Sequence, residues 1–175
     1  SIMSADATCQ FYNLDSNIIL SASSVSLENQ LDTDSVFIFS SNSNFDLPSI
    51  KHTLDFDVVI LDMTQKIMSF SNNNLSEEGS MLAHKYGKKG LLYSALDATY
   101  NWNENEFCVE SVFPISIKKF LIQPDSNSFC FNSDGELPIL KNATVIKNRK
   151  LFKDKLINHV DVMISPSLKM TWIKD

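Results

Sequence analysis

Two pairs of carboxylates are the residues in this chain whose spacing most resembles a cation site. Asp32 and Asp34 stand two residues apart, and so do Asp55 and Asp57. A divalent cation requires several hard oxygen ligands, and a strand or turn can aim such a pair at one point. The sequence places no third ligand beside either pair, so it favours solvated acidic loops. We therefore predict no metal ion.

Three histidines, His52, His84 and His159, are the candidate acid–base groups. His159 and Asp161 are two residues apart, which would place both on one face of a strand. A catalytic triad also needs a nucleophile beside them, and the sequence identifies none. The chain contains neither a G-x-S-x-G segment nor a Walker-type or dinucleotide-binding glycine loop. We therefore predict no catalytic residue and no cofactor.

A small enzyme remains an alternative. Catalytic groups gather at strand ends in many folds that contain both helices and strands. Such an enzyme would combine a carboxylate at a strand end (Asp55, Asp57 or Asp62) with His52 or His84.

The three cysteines, Cys9, Cys108 and Cys130, are odd in number and far apart. This pattern argues against a disulfide scaffold and favours a reducing compartment. Cys108 and Cys130 also lie in apolar strand contexts, where a free cysteine is usually an inert core residue. We expect both to be buried thiols.

Charge is distributed unevenly along the chain. Residues 1–62 contain nine acidic side chains and one lysine, whereas residues 118–175 contain ten basic and six acidic side chains, within a net charge of −6. The acidic part could pair with the basic part inside the fold, or it could bind a basic protein partner. A chain with a net negative charge and a single arginine is a poor candidate for nucleic-acid binding.

Six residues form the predicted partner-binding site. Five are acidic side chains of the first part of the chain. The sixth is a tryptophan at the tip of a predicted hairpin, where an exposed indole would suit an interaction hot spot or could instead pack on the sheet edge. These residues are Glu28, Asp32, Asp34, Asp55, Asp57 and Trp102.

The predicted fold is α+β, a single domain of residues 1–175 with a largely antiparallel sheet and two or three helices. Short runs rich in β-branched and aromatic residues predict strands at 17–20, 36–39, 56–61, 91–100, 107–113, 115–122, 128–131, 143–146 and 160–164. A capping-box pattern at Asn74 and Glu77, followed by Gly87, predicts a helix over about residues 75–86. An apolar face predicts a second helix over residues 148–158. The N-terminus has no signal-peptide pattern and no segment approaches about 18 apolar residues, so we predict a cytoplasmic protein that binds no membrane.

Five segments of this chain follow one another in a recognisable order: 56–70, 115–125, 129–131, 143–157 and 160–166. Taken together they resemble a group of bacterial immunity proteins that neutralise polymorphic toxins. The likeness covers residues 56–166 and departs from the pattern at Cys130, where an arginine is expected, and at residues 158–159, where a glycine is expected. The resemblance implies a cytoplasmic, non-catalytic protein that binds a cognate toxin, and it assigns no binding residue.

The sequence as a whole therefore favours a non-catalytic protein-binding module, an immunity-like inhibitor that holds a toxin domain or another basic protein through an acidic surface. Electrostatic complementarity of this kind speeds association and rejects wrong partners. Besides the enzyme, a structural or assembly component of a phage or secretion system is the other alternative. We expect a monomer or a homodimer.

Overall fold

The computed structural model describes residues 3–4, 8–29, 35–73, 79–86, 89–131, 135–147 and 155–174. These residues form eighteen strands, one 3₁₀ turn at Pro48–Ile50 and no α-helix. The strands are β1 (Met3–Ser4), β2 (Cys9–Tyr12), β3 (Ile18–Ala22), β4 (Val25–Asn29), β5 (Val36–Ser41), β6 (Phe45–Leu47), β7 (His52–Leu54), β8 (Val58–Asp62), β9 (Ile67–Ser71), β10 (Ser80–Tyr86), β11 (Lys89–Asn101), β12 (Glu106–Val112), β13 (Ile115–Ile117), β14 (Phe120–Gln123), β15 (Phe129–Phe131), β16 (Leu140–Lys147), β17 (Lys155–Ile164) and β18 (Met170–Lys174).

The strands form two antiparallel sheets. Thirteen strands belong to the larger sheet, which runs β1-β4-β5-β8-β9-β11-β10-β7-β6-β3-β2, with β12 paired to β11 and β15 paired to β12. The smaller sheet has the order β13-β14-β16-β17-β18. The chain passes from the larger to the smaller sheet between β12 and β13, returns for β15, and then completes the smaller sheet.

One hydrophobic cluster contains buried side chains from both sheets. The larger sheet contributes Phe45, Phe70 and Phe107, and the smaller sheet contributes Val145 and Val160 among others. These side chains come from strands with alternating burial, as in β9, where Met68 and Phe70 are buried and their neighbours are half-buried. This period of two is what a sheet with one face on the core requires.

The prediction of an α+β fold with helices is wrong, and the predicted helix over residues 75–86 shows why. Its residues 80–86 form β10, which pairs with β7 on one side and β11 on the other. Burial in β10 alternates, with Leu82 and His84 buried and Met81 and Lys85 exposed. Cross-strand pairing on both sides outweighs the local capping signal. Residues 74–78 and 87, which carry that signal, lie outside the described residues.

The second predicted helix, over residues 148–158, is also wrong where the structure describes it. Residues 155–158 are the start of β17, in which Leu156 pairs with Ile146 and Ile157 pairs with Val145. Residues 148–154 lie outside the described part of the chain. The predicted strands near residues 18, 36, 58, 91, 107, 143 and 160 are confirmed.

Candidate protein-binding site

The turn between β2 and β3 presents an apolar side chain to solvent. Asn13 orders this turn, because its Oδ1 accepts hydrogen bonds from the backbone amides of Asp15 (3.0 Å) and Asn17 (2.9 Å). The backbone amide of Asn13 donates to the carbonyl oxygen of Asn17 at 2.9 Å. Leu14, at the tip, is 99% exposed. An ordered turn thus holds a leucine in water, where it gains nothing from the protein's own core.

Trp102 lies in the turn between β11 and β12, at the hairpin tip that the sequence predicts. Oδ1 of Asn101 accepts hydrogen bonds from the amides of Asn103 (3.0 Å) and Glu104 (3.1 Å), which fixes the turn. The Trp102 amide donates to the carbonyl oxygen of Lys66 at 3.2 Å. Its indole is half-buried and packs against the core on one side. Trp102 is therefore both a packing residue and a surface residue.

Tyr100 fixes the hairpin turn to the 3₁₀ turn. Its hydroxyl donates to Oδ1 of Asn105 at 2.7 Å and lies 2.7 Å from Oγ of Ser49, which is left as the donor in that pair. Burial of the ring raises the pKa of Tyr100 above its usual value, so the hydroxyl stays protonated and keeps its role as donor. The two turns are thereby held together without any charged group.

These turns enclose a cleft of about 530 Å³. Asn13, Asn17 and Ser49 line it, together with the rings of Tyr100 and Trp102. We call this cleft, with the adjoining Leu14 tip, the Trp102 surface. The exposed acids Asp15 and Glu104 directly adjoin the lining residues Ser16 and Asn105 in the chain, and the exposed Lys66 has its Nζ 3.4 Å from Oδ1 of Asn103. These three side chains carry one excess negative charge beside the cleft.

Asp55 and Asp57, the predicted acidic residues whose side chains the structure describes, lie away from the Trp102 surface. Asp55 and Asp57 lie between β7 and β8, at the opposite end of β8 from the turn that contains Lys66. Asp55 is exposed, whereas Asp57 is half-buried and accepts a hydrogen bond from the amide of Asn73 at 2.9 Å. Asp57 therefore organises a strand connection.

The remaining predicted acids cannot be placed with their side chains. Glu28 lies in β4 opposite Ile38, and its side chain is outside what the structure describes. Asp32 and Asp34 are outside the described residues altogether. Among the residues that are described, the ion pair between Lys141 and Asp161 (2.7 Å) joins two side chains of the basic part of the chain.

The histidines of the enzyme alternative lie inside the protein. His52 and His84 are paired across β7 and β10, and their side chains are 2% and 1% exposed. Nδ1 of His52 donates to the carbonyl oxygen of Ile50 at 3.0 Å, which leaves Nε2 to accept from the Tyr93 hydroxyl at 2.9 Å. Phe107 and Phe131 pack against the His52 ring at centroid distances of 4.4 and 4.7 Å.

This environment keeps both imidazoles neutral. Burial, together with the neighbouring His84, lowers the pKa of His52 to about 3, and burial, together with Lys51, lowers the pKa of His84 to about 4. Burial also raises the pKa of the Tyr93 hydroxyl. No described carboxylate lies within ligand distance of this pair. The histidines therefore stabilise the interior as uncharged rings and do not meet Asp55, Asp57 or Asp62 in an open site.

Cys108 and Cys130 form a disulfide, so the prediction that they are buried free thiols is wrong. They are directly opposite in the antiparallel pair of β12 and β15, with Cα atoms 4.0 Å apart. Cys130 is exposed and Cys108 is half-buried. Glu106 lies within 4.8 Å of both sulfurs, but bonded sulfurs are not thiolate ligands. The argument for a reducing compartment therefore loses its basis in these residues, and the cytoplasmic location stays a prediction.

The sequence predicts that Tyr100 and Trp102 flank the hairpin turn, but it did not lead us to Leu14 or to the contact between Tyr100 and Ser49. The signal for Leu14 was available, because Asn13, Asp15 and Ser16 are turn-forming residues between two apolar segments, which makes an intervening leucine an exposed one. The contact of Tyr100 with Ser49 joins residues 51 positions apart and has no local signal.

Comparison with known proteins yields no relative for this chain. No family model, no curated protein and no solved structure matches it. In the part of the chain that the structure describes, no helix has the length and apolar character needed to span a membrane.

Proposed function

We propose that this protein is a non-catalytic binding module that holds a basic protein partner through the Trp102 surface. The observation that carries the proposal is Leu14, a leucine that is 99% exposed on a turn ordered by four hydrogen bonds. Interaction hot spots are enriched in tryptophan and tyrosine and are surrounded by contacts that exclude water. Trp102 supplies such an anchor, and Leu14 adds an exposed apolar contact beside it.

The surroundings of these anchors support a basic partner. Amide and hydroxyl groups of Asn13, Asn17 and Ser49 line the cleft between the two turns. The exposed acids Asp15 and Glu104 adjoin this lining in the chain, and with the nearby Lys66 they leave one excess negative charge. Rim charges of one sign increase the association rate with an oppositely charged protein more than they increase the final affinity.

The neutral histidine pair supports a non-catalytic role. His52 and His84, the acid–base candidates of the enzyme alternative, are enclosed by aromatic rings. A general acid or base must come within hydrogen-bonding reach of a substrate proton, and these rings are 2% and 1% exposed.

Neutralisation of a toxin domain is the more specific form of the proposal. It rests on the resemblance of residues 56–166 to immunity proteins, and in this form the basic partner is the toxin domain itself. Binding of a basic partner is tested first and neutralisation of its toxicity second, because the partner must be identified before its toxicity can be assayed.

Site-specific photo-crosslinking in the native host tests the proposal. A photoreactive phenylalanine analogue replaces Leu14 in one variant and Leu92, which is 60% exposed near the start of β11, in a matched control. We expect one discrete adduct from position 14, with a protein whose contact surface is basic, and no such adduct from position 92. Absence of an adduct at position 14, or the same adducts at both positions, would contradict the proposal.

A further inference from the structure

A second cleft lies between the two sheets, and it shares no lining residue with the cleft of the Trp102 surface. Its volume is about 610 Å³, within the range of small-molecule sites. The chain crosses between the sheets along its wall, through Phe113 and Pro114. Gln123 and Asp125 line the side formed by the end of β14, and Asn142 and His159 line the side formed by β16 and β17. It is a separate feature from the proposed protein-binding site.

Three residues of this cleft have left-handed backbone inside strands. Ser111 has φ of 54°, Asn142 of 49° and His159 of 58°. The other described non-glycine residues with positive φ lie at or beside turns, where such backbone is ordinary. Left-handed backbone costs an L-residue about 1–2 kcal/mol, and strained residues concentrate at functional sites. All of the described non-glycine residues that have a positive φ inside a strand therefore line this cleft.

Two of these residues belong to a pair of opposed β-bulges. Between the pairs Leu140–Val162 and Ala143–Val160, β16 contains one extra residue. Between Ala143–Val160 and Val145–Ile157, β17 contains one extra residue. The second bulge cancels the register shift of the first, so the ladder resumes unchanged. A bulge redirects a side chain without ending a strand, and here two bulges on facing strands redirect Asn142 and His159.

Hydrogen bonds hold this double bulge in one conformation. Oδ1 of Asn142 accepts from Nδ1 of His159 at 2.8 Å. Asp161 fixes the other side of the bulge. Its Oδ1 accepts from the backbone amide of Asn142 at 3.1 Å, and its Oδ2 forms an ion pair with Nζ of Lys141. Two strained residues are thus oriented beside the cleft before any ligand arrives, which lowers the entropy lost on binding.

We propose that this cleft binds a neutral saccharide. Its polar lining is rich in groups that both donate and accept hydrogen bonds, as each sugar hydroxyl also does. The amides are Gln123, Asn127 and Asn142, and the hydroxyls are Ser111 and Thr144. Phe113, with the apolar surface of neighbouring prolines, offers a contact for the C–H face of a sugar ring.

The charges of the lining argue against the two main competing ligand classes, which are anions and divalent cations. Its described residues include no lysine or arginine, and Asp125 is acidic, so a phosphate or carboxylate ligand would meet no fixed cation. Asp125 is also the one carboxylate of the lining, which is too few for a calcium or magnesium ion. A carboxylate does suit a saccharide, because its two oxygens can accept from adjacent hydroxyls.

Amide chemical-shift mapping of the ¹⁵N-labelled protein tests the proposal. The probes are glucose, galactose, mannose, N-acetylglucosamine, cellobiose and lactose, each titrated to high millimolar concentration, with inorganic phosphate as the anionic comparison. We expect at least one saccharide to give saturable shifts confined to the amides around Ser111, Asn127, Asn142 and His159. Phosphate should give no saturable shift there.

The matched variants exploit the left-handed backbone. Asn142→Gly and His159→Gly remove the side chains while keeping a residue that adopts positive φ without strain, so the fold is retained. We expect each to weaken saccharide binding tenfold or more by the same shifts, and Ser24→Gly, at a left-handed turn position outside the cleft, to leave it unchanged. No saturable shift with any saccharide, shifts centred elsewhere, stronger binding of phosphate, or binding unaffected by both cleft variants would overturn the proposal.

Discussion

The imidazole rings of His52 and His84 are stacked with centroids 4.2 Å apart and an interplanar angle of 7°. Two histidines in this geometry tolerate each other only as neutral rings, because two positive charges at this distance would repel in a site that water cannot reach. The pair joins β7 to β10, and the hydroxyl of Tyr93 on β11 extends the contact to a third strand.

This pair makes the stability of the protein depend on pH. The pKa values of His52 and His84 fall from 6.5 to about 3 and about 4 in the folded protein. Below about pH 6.5 the unfolded chain therefore binds protons that the folded protein excludes. As the pH falls below 6.5, the free energy of unfolding should therefore decrease, with a slope that approaches about 1.4 kcal/mol per pH unit for each histidine. Urea unfolding between about pH 7 and about pH 5, above the range where carboxylates titrate, measures the slope.

The variant His84→Phe provides the control for this prediction. It keeps an aromatic ring against Phe131, whose centroid lies 4.8 Å from that of His84, and it removes one titrating group. The pH slope of the unfolding free energy should fall by about half. An unchanged slope in this variant, or no slope in the parent protein, would contradict the buried neutral pair.

The disulfide between Cys108 and Cys130 should stabilise the protein. It links residues 22 positions apart, and closing a loop of this size raises the free energy of unfolding by about 3 kcal/mol through the unfolded state. The double variant Cys108→Ala, Cys130→Ala should therefore unfold at lower urea concentration. Cys9→Ala is the control, because Cys9 is a free cysteine and its replacement removes a thiol without breaking a cross-link. Mass spectrometry that finds both thiols free in protein purified without reductant would refute the cross-link.

Two glycines provide a matched test of the packing beside the cleft between the sheets. Gly79 has φ of 67°, and a Cβ atom there would lie 2.6 Å from Cε2 of Phe113 and 3.0 Å from the carbonyl oxygen of Ala95. Gly90 would place its Cβ no closer than 3.6 Å to another atom, the carbonyl oxygen of His84. Gly79→Ala should destabilise the protein by about 1–3 kcal/mol. Gly90→Ala should be close to neutral, and equal losses in thermal unfolding would show that Phe113 packs elsewhere.

The strands could be predicted from the sequence wherever burial imposes a local pattern. The hairpin of β11 and β12 is one example, because its apolar strands and the polar residues 103–106 between them follow directly from the sequence. The helix predicted over residues 75–86 fails for the opposite reason. Its capping pattern is local, whereas the pairing of β10 with β7 and β11 depends on residues far away in sequence.

The candidate sites likewise combine residues that have a local sequence signal with residues whose roles depend on distant strand pairing. Trp102 could be identified from its place in a hairpin turn, and the Asn13 turn offered a signal for Leu14. The pairing of Cys108 with Cys130 depends on the register of β12 against β15, which no local spacing encodes. The left-handed backbone of His159 could not be predicted either, because few non-glycine residues adopt it and the opposing bulges arise from the pairing of two strands.

Salt dependence tests the electrostatic part of the proposed function. Once the partner is identified, Asp15→Asn and Glu104→Gln should each weaken its binding by about two- to fivefold at low ionic strength, since exposed ion pairs contribute about 0.2–1 kcal/mol. The loss should shrink at high salt, where such charges are screened. Asp97→Asn, at an exposed acid in the middle of β11, should have no effect. Binding that is insensitive to salt and to both rim variants would exclude a role for the acidic rim.

The affinity of the identified partner for Trp102→Ala, compared with Leu92→Ala, tests the central claim most directly. Leu92 lies in β11, and Trp102 directly follows that strand ten residues later. The two positions are therefore separated by about 30 Å of extended chain. With thermal unfolding confirming that both variants fold, isothermal titration calorimetry should show a loss of about tenfold or more, about 1.4 kcal/mol, for Trp102→Ala and none for Leu92→Ala. Unchanged affinity in Trp102→Ala, or an equal loss in Leu92→Ala, would contradict binding through the Trp102 surface.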